Sequence, residues 1–125
     1  MRNSKHRRAI AACLEEGGRP LTAAELLVAA RQHIAGLGIA TVYRALNALR
    51  AEGTLTVVAL PGEPPRFERS SRRHHHYFRC VRCKQLYVLH GCVSGLSSWL
   101  PAGFVHERHE ILLQGRCASC HESYK

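Results

Sequence analysis

Apolar residues recur every three to four positions through the first 50 residues, a period that predicts amphipathic helices. The first helix is predicted over residues 4–16, where two glycines end the pattern. Thr22 and Glu25 form a capping box, so a second helix begins there and its stripe continues to Ile34. A third helix is predicted over residues 40–53. The apolar stripes of the three helices are Ala9, Ile10, Cys13 and Leu14; Leu26, Leu27 and Ala30; and Val42, Ala45, Leu46 and Leu49.

A β-hairpin is predicted directly after the third helix. Residues 55–60 form a strand-like run, which ends in the proline- and glycine-rich segment 61–65. Residues 66–69 form the second short strand of the hairpin. Three helices followed by a hairpin predict a winged helix-turn-helix domain over residues 1–69.

The composition changes after a polar, basic connector, residues 70–73, which we predict to be a hinge. Residues 74–125 then predict a small α/β domain, so the fold class of the whole chain is α+β. A domain of about 50 residues buries too little apolar surface to be comfortably stable without a metal. Its predicted elements are strands over residues 74–80 and 85–89, a short helix within 93–100, and one or two strands within 104–114.

Arginine dominates the charge of the chain. The 125 residues contain 18 Lys and Arg against 9 acidic residues, a formal net charge of +9, and 15 of the cations are Arg. Because Arg makes bidentate contacts to phosphate and guanine, nucleic acid is the first partner to consider, and solubility alone is the alternative. We find no apolar run of the roughly 18 residues that a membrane span requires and no secretory signal, so we expect a soluble, cytoplasmic protein without a membrane partner.

Cysteine is concentrated in the second half, where five of the six cysteines follow residue 73. Cys80 and Cys83 form one CxxC pair, and Cys117 and Cys120 form another, with 33 residues between the two pairs. A two-residue spacer lets both sulfurs of a pair approach one ion, and four thiolates bind one tetrahedral zinc. The spacing therefore predicts a structural zinc site, with two disulfides or idle thiols as the alternative.

Histidines form a second cluster beside the first CxxC pair. Alternate residues of a strand share a face, so His74 and His76 point one way while His75 and Tyr77 point the other. Imidazole with carboxylate suits zinc or ferrous iron, and a solvated histidine run is the alternative. Further candidate ligands in this half are His90, Cys92, His109 and Glu110.

No residue pattern indicates an enzyme. His106 and His109 are one residue too close for the HExxH motif of zinc proteases. The HxE and PCxxC elements of nucleobase deaminases are absent, as are GxSxG and a phosphate-binding glycine loop. We therefore expect a binding protein.

The segment TVYRALN, residues 41–47, closely resembles the recognition-helix signature of the ferric uptake regulator (Fur) superfamily. The second half is similar as well, in its His-rich strand, both CxxC pairs and the His109 region. The resemblance implies a dimeric, metal-responsive transcription repressor whose N-terminal winged helix binds DNA and whose four CxxC cysteines hold a structural zinc. The implied DNA contacts are Arg7, Thr41, Tyr43, Arg44 and Asn47.

The superfamily's regulatory site at the hinge is poorly matched. Glu68 and His75 stand at two of its ligand positions. Pro20, Tyr77 and Val88 stand at the others, and none of these is an ordinary metal ligand. The resemblance therefore gives this site only two conventional ligands, unless His90 joins them.

A second superfamily site, in the dimerisation domain, is better matched by His74, His76 and His109. Cys92 or His90 can replace its glutamate. Imidazoles with a thiolate suit zinc better than ferrous iron. We therefore expect a zinc-responsive repressor of metal homeostasis that binds an AT-rich, palindromic operator as a homodimer. The alternatives are an iron-responsive or peroxide-responsive regulator, or a constitutive DNA-binding protein with only a structural zinc.

Overall fold

The computed structural model describes residues 2–71 and 73–123, with side chains at 5–71 and 73–121. It divides into two compact units, Met1–Ser71 and Arg72–Lys125. No helix in the described ranges combines the length and the apolar character that a membrane crossing requires.

The first unit is a winged helix, as the sequence predicts. Its sheet has the order β1-β3-β2, and both strand pairs are antiparallel. The elements are α1 Arg2–Gly17, β1 Leu21–Thr22, α2 Ala23–Arg31, α3 Ile39–Ala51, β2 Leu55–Val58 and β3 Arg66–Arg69.

The three helices of this unit enclose one apolar core. Their stripes meet there, and Ile10, Leu26, Val42 and Leu46 are at most 1% exposed. The predicted capping box starts α2, because the Thr22 hydroxyl accepts a hydrogen bond from the amide of residue 25 (3.1 Å) and the carboxylate of that residue accepts one from the Thr22 amide (2.8 Å). The polar face of α3 is left outside the core.

Two details of the first unit differ from the sequence prediction. Strand β1 was not predicted, since two residues are too few to show a period; it pairs Leu21 with Phe67 of β3. Helix α2 ends at Arg31, and Ile34 lies in the turn that follows. The apolar stripe extends beyond the helix because that turn also packs against the core.

The second unit is a three-stranded sheet of order β5-β4-β6. Strand β4 pairs antiparallel with β5 and parallel with β6. A Cβ atom on Gly115 would lie 3.3 Å from the Phe78 ring, so glycine allows the close approach of β6 to β4. The elements are β4 His75–Cys80, β5 Leu86–His90, a 3₁₀ helix Leu96–Trp99, β6 Leu112–Gly115 and α4 Ala118–Ser123.

The second unit contains less regular structure than the sequence predicts. The helix expected within residues 93–100 is a single 3₁₀ turn, and residues 104–114 contain part of one strand, which starts at Leu112. Helix α4 was not predicted, because six residues of mixed polarity show no helical period. Long irregular segments in a small unit are consistent with stabilisation by bound metal rather than by an apolar core.

Candidate functional site

The parallel pairing of β4 with β6 brings the two CxxC pairs together. Cys80 is the last residue of β4 and pairs with Gly115 of β6. Gly115 lies two residues before Cys117 in the sequence. The turn after Cys80 closes at Lys84, whose φ of 66° lies in the left-handed region. The four sulfur atoms of Cys80, Cys83, Cys117 and Cys120 all lie within 4.8 Å of one another.

Backbone amides prepare this cluster for negative charge. The amides of Cys117 and Cys83 each donate to the Cys80 sulfur at 3.4 Å, and they lower the pKa of that thiol to about 5. Burial, reinforced by the neighbouring thiols, raises the pKa of Cys120 to about 12. Four thiolates at this spacing need a cation to compensate their charge, and the all-sulfur donor set fits a structural zinc ion.

A second cluster lies on the same sheet and combines three imidazoles with one thiol. His76 is in β4, His74 directly precedes it, Cys92 follows β5, and His109 lies in the segment before β6. One ligand atom from each of the four residues lies within 4.8 Å of the others. The Cys92 sulfur is 2.8 Å from Nε2 of His109 and 3.2 Å from Nε2 of His76, and Nε2 of His74 is 3.1 Å from Nε2 of His109.

The electrostatics of this cluster favour neutral imidazoles, the form that binds metal. Burial, followed by the neighbouring imidazoles, lowers the pKa of His76 and the pKa of His109. The Ile111 amide donates to Nδ1 of His76 at 3.1 Å, so the neutral ring carries its proton on Nε2. Metal binding through that Nε2 therefore requires His76 to give up either this proton or the bond from Ile111. The donor set fits a thiophilic divalent ion such as zinc.

Two candidate ligands on the same strands lie outside the cluster. His75 pairs with His90 across β4 and β5. Nε2 of His75 lies 3.0 Å from the Tyr77 hydroxyl, and its Nδ1 lies 2.9 Å from the Arg73 carbonyl oxygen, so both ring nitrogens are engaged. Of the alternatives Cys92 and His90, the structure brings Cys92 to the three histidines. Glu68 lies half-buried in β3 of the first unit.

Sequence reasoning missed His106 as part of this arrangement. Its Nε2 lies 3.0 Å from Nδ1 of His109, and its Nδ1 lies 2.9 Å from the Ser97 hydroxyl. The only available signal was the three-residue spacing of the two histidines, which matches no standard ligand motif. The contact with Ser97 is not visible in any local pattern.

Helix α3 presents the residues that were predicted to contact DNA. Tyr43, Arg44 and Asn47 are exposed, and Thr41 is half-buried and accepts a hydrogen bond from the Arg44 guanidinium at 2.9 Å. Thr41 and Arg44 line one shallow depression together with Arg7 of α1. Arg7 is held by an ion pair with a glutamate at the C-terminal end of α3, at 2.6 Å.

Residues 1–99 match the model of the ferric uptake regulator family. The chain is 29% identical over 86 residues to the ferric uptake regulation protein of Helicobacter pylori. That match covers 69% of this chain and 57% of the relative, so the chain spans less than two thirds of that protein's length.

Solved structures that share the fold include two metal uptake regulators. The Helicobacter pylori ferric uptake regulator Fur, described as having three functional metal-binding sites, matches with a TM-score of 0.71 and 22% identity, over 97% of this chain and 83% of that one. A zinc-bound manganese uptake regulator matches with a TM-score of 0.77 and 20% identity, over 90% of this chain and 87% of that one. The family match covers most of the chain and leads to one conclusion: the chain belongs to the ferric uptake regulator family.

Proposed function

We propose that this protein is a zinc-responsive transcription repressor that binds operator DNA as a homodimer. The observation that carries the proposal is the composition of the cluster of His74, His76, Cys92 and His109, which contains no carboxylate. Thiolate is a soft ligand that favours zinc, whereas ferrous iron is commonly bound by imidazole and carboxylate. The zinc here is the regulatory ion, in addition to a structural zinc held by the four CxxC cysteines.

The names of the relatives do not select the metal. One is a ferric uptake regulation protein and another is a zinc-bound manganese uptake regulator. An iron-responsive regulator is therefore the second candidate, and a peroxide-responsive one would also depend on bound iron. The sulfur ligand is the feature of this chain that favours zinc over both.

The first unit supplies the DNA-binding surface of the proposed repressor. Helix α3 enters the major groove, where Arg44 can read guanine and Tyr43 can contact a thymine methyl group or a phosphate. Asn47 lies on the exposed side of the helix, and the half-buried Thr41 contacts Arg44. The Arg7 guanidinium pairs with Glu52 through Nη1 and has further N–H donors that can contact a phosphate. The excess of arginine over the acidic residues favours such a surface.

The second unit supplies the proposed dimer contact. Large apolar side chains are exposed on and around its 3₁₀ helix, including Trp99 at 80% and Phe104 at 65%. Exposed apolar groups of this size mark interaction surfaces, and closed two-fold dimers are the commonest assembly. Zinc then stabilises the dimer arrangement that sets two α3 helices one DNA turn apart, without contacting DNA itself. An AT-rich palindrome is the proposed operator.

The test selects DNA from a random duplex pool with the full chain and buffered zinc, and then measures binding of the selected duplex as free zinc or ferrous iron is varied without oxygen. We expect zinc to drive binding at lower free concentration than iron does. The variant Cys92→Ser should need more zinc, whereas His33→Ala, an exposed histidine of the first unit, should behave as wild type. Binding that responds to iron alone would establish the iron regulator, and binding indifferent to both metals would establish a constitutive DNA-binding protein.

A further inference from the structure

A chain of hydrogen-bonding groups extends outward from the histidine cluster. Nδ1 of His109 lies 3.0 Å from Nε2 of His106, and Nδ1 of His106 lies 2.9 Å from the hydroxyl oxygen of Ser97. The two imidazole rings have centroids 4.9 Å apart and are tilted by 39°. Ser97 belongs to the 3₁₀ helix, so this contact connects the irregular segment 100–111 to a regular element.

A metal ion bound by His109 would set the tautomers of both rings. The nitrogen of His109 that faces the cluster is Nε2, which must present a lone pair to bind a metal ion. Its proton then lies on Nδ1, where His106 accepts it through Nε2. His106 in turn carries its proton on Nδ1 and donates it to Ser97. In this arrangement each ring nitrogen that carries a proton faces an atom that can accept it.

We infer that His106 is a positioning residue for the metal site, holding His109 in the tautomer and orientation that bind the ion. The inference rests on the proposed zinc site and deepens it. Metal-binding histidines are usually oriented by an acceptor on their second nitrogen, and loss of that acceptor weakens metal binding. Carboxylates and backbone carbonyls are common in that role, and here an imidazole supplies it, itself fixed by a serine.

The contrast with His76 supports this assignment. The second nitrogen of His76 receives a donor, the Ile111 amide, whereas the second nitrogen of His109 faces an imidazole nitrogen that can accept its proton. His109 can therefore bind an ion through Nε2 and keep its contact with His106, whereas His76 cannot do so without losing a proton or the bond from Ile111. His106 does not belong to the cluster itself. Its Nε2 contacts Nδ1 of His109, the ring nitrogen that does not face the cluster.

The test compares three variants of the full chain for zinc affinity at the second site, measured by competition with a chromogenic chelator after the four-cysteine site is filled. His106→Leu removes the acceptor and should weaken binding by about 10- to 100-fold. His106→Gln, which can offer a carbonyl oxygen to the same proton, should restore most of that loss. Ser97→Ala should weaken binding by less than His106→Leu does. His90→Ala is the matched control, an exposed histidine on the same sheet, and should not change the affinity.

Cobalt(II) in place of zinc distinguishes positioning from direct ligation, because its visible spectrum reports the number and type of ligands. We expect His106→Leu and wild type to give the same four-ligand spectrum at saturation. Unchanged zinc affinity in His106→Leu would overturn the inference. Equal losses in His106→Leu and His106→Gln, with an altered cobalt spectrum, would also overturn it by making His106 a ligand. A wild-type chain that binds only one zinc would instead refute the proposed zinc site on which the inference depends.

Discussion

Replacing Cys117 by serine, or removing zinc with a chelator, should unfold the second unit while the first unit stays folded. The reason lies in where apolar side chains are buried. Among the described side chains, Cys80 and Leu86 are the only apolar ones of the second unit that are fully buried, and the apolar core cluster lies entirely in the first unit. A buried leucine contributes about 1.5–3 kcal/mol, which is comparable to the cost of ordering one or two residues.

On this reasoning, the zinc ion proposed for the four-cysteine cluster supplies most of the stability of this unit. A structural zinc contributes on the order of 10–16 kcal/mol at neutral pH, and ordinary domains are stable by only about 5–15 kcal/mol. Losing one of the four thiolates should thus cost more free energy than the sheet of the second unit has in stability without metal. The two units unfold separately under this reasoning, so one midpoint will not describe the chain.

The assay is hydrogen–deuterium exchange measured by mass spectrometry, comparing peptides from β4 with peptides from α3. In Cys117→Ser, β4 should lose its protection and α3 should keep it. His90→Ala is the matched control, because His90 is an exposed residue of the same sheet that lies outside both clusters. Full protection of β4 in a sample shown to contain no metal would refute the reasoning.

Three further predictions concern function. Replacing Arg44 by alanine should cost about 1–3 kcal/mol on the selected duplex; in gel-shift titrations, an equal loss on random DNA would reduce this residue to a phosphate contact. Replacing His74 and His109 together by alanine should abolish the zinc dependence of DNA binding while His90→Ala preserves it, and unchanged dependence in the double variant would exclude this cluster as the sensor. Replacing Trp99 by glutamate should raise the dimer dissociation constant in analytical ultracentrifugation, and a dimer of unchanged strength would place the interface elsewhere.

The sequence predicts the first unit well because its signals are local. The stripe of α3, the capping box of α2 and the turn between β2 and β3 each lie within a few consecutive residues. Strand β1 was missed because its pairing with β3 joins residues more than 40 positions apart. A pairing between residues so far apart in the sequence cannot be recognised from the hydrophobic pattern of a two-residue strand.

The second unit depends on contacts between distant segments, which its sequence does not reveal. The CxxC spacing reveals each pair of cysteines, but only the pairing of β4 with β6 explains why the two pairs meet. Strand alternation places His74 and His76 on one face, and the structure shows the same division. The choice between Cys92 and His90 depends on the path of the chain after β5, and the contact of His106 with Ser97 depends on an irregular loop. Neither follows a repeating pattern.

Metal content per chain is the most direct measurement of the central claim, that this protein holds a zinc sensor site in addition to a structural zinc. Purified protein is equilibrated without oxygen against equal, limiting concentrations of buffered zinc and ferrous iron, and its metals are then counted by elemental analysis. The account predicts two zinc ions per chain in wild type and one in the variant carrying both His74→Ala and His109→Ala. One zinc with one iron, or one zinc alone, in the wild type would contradict it.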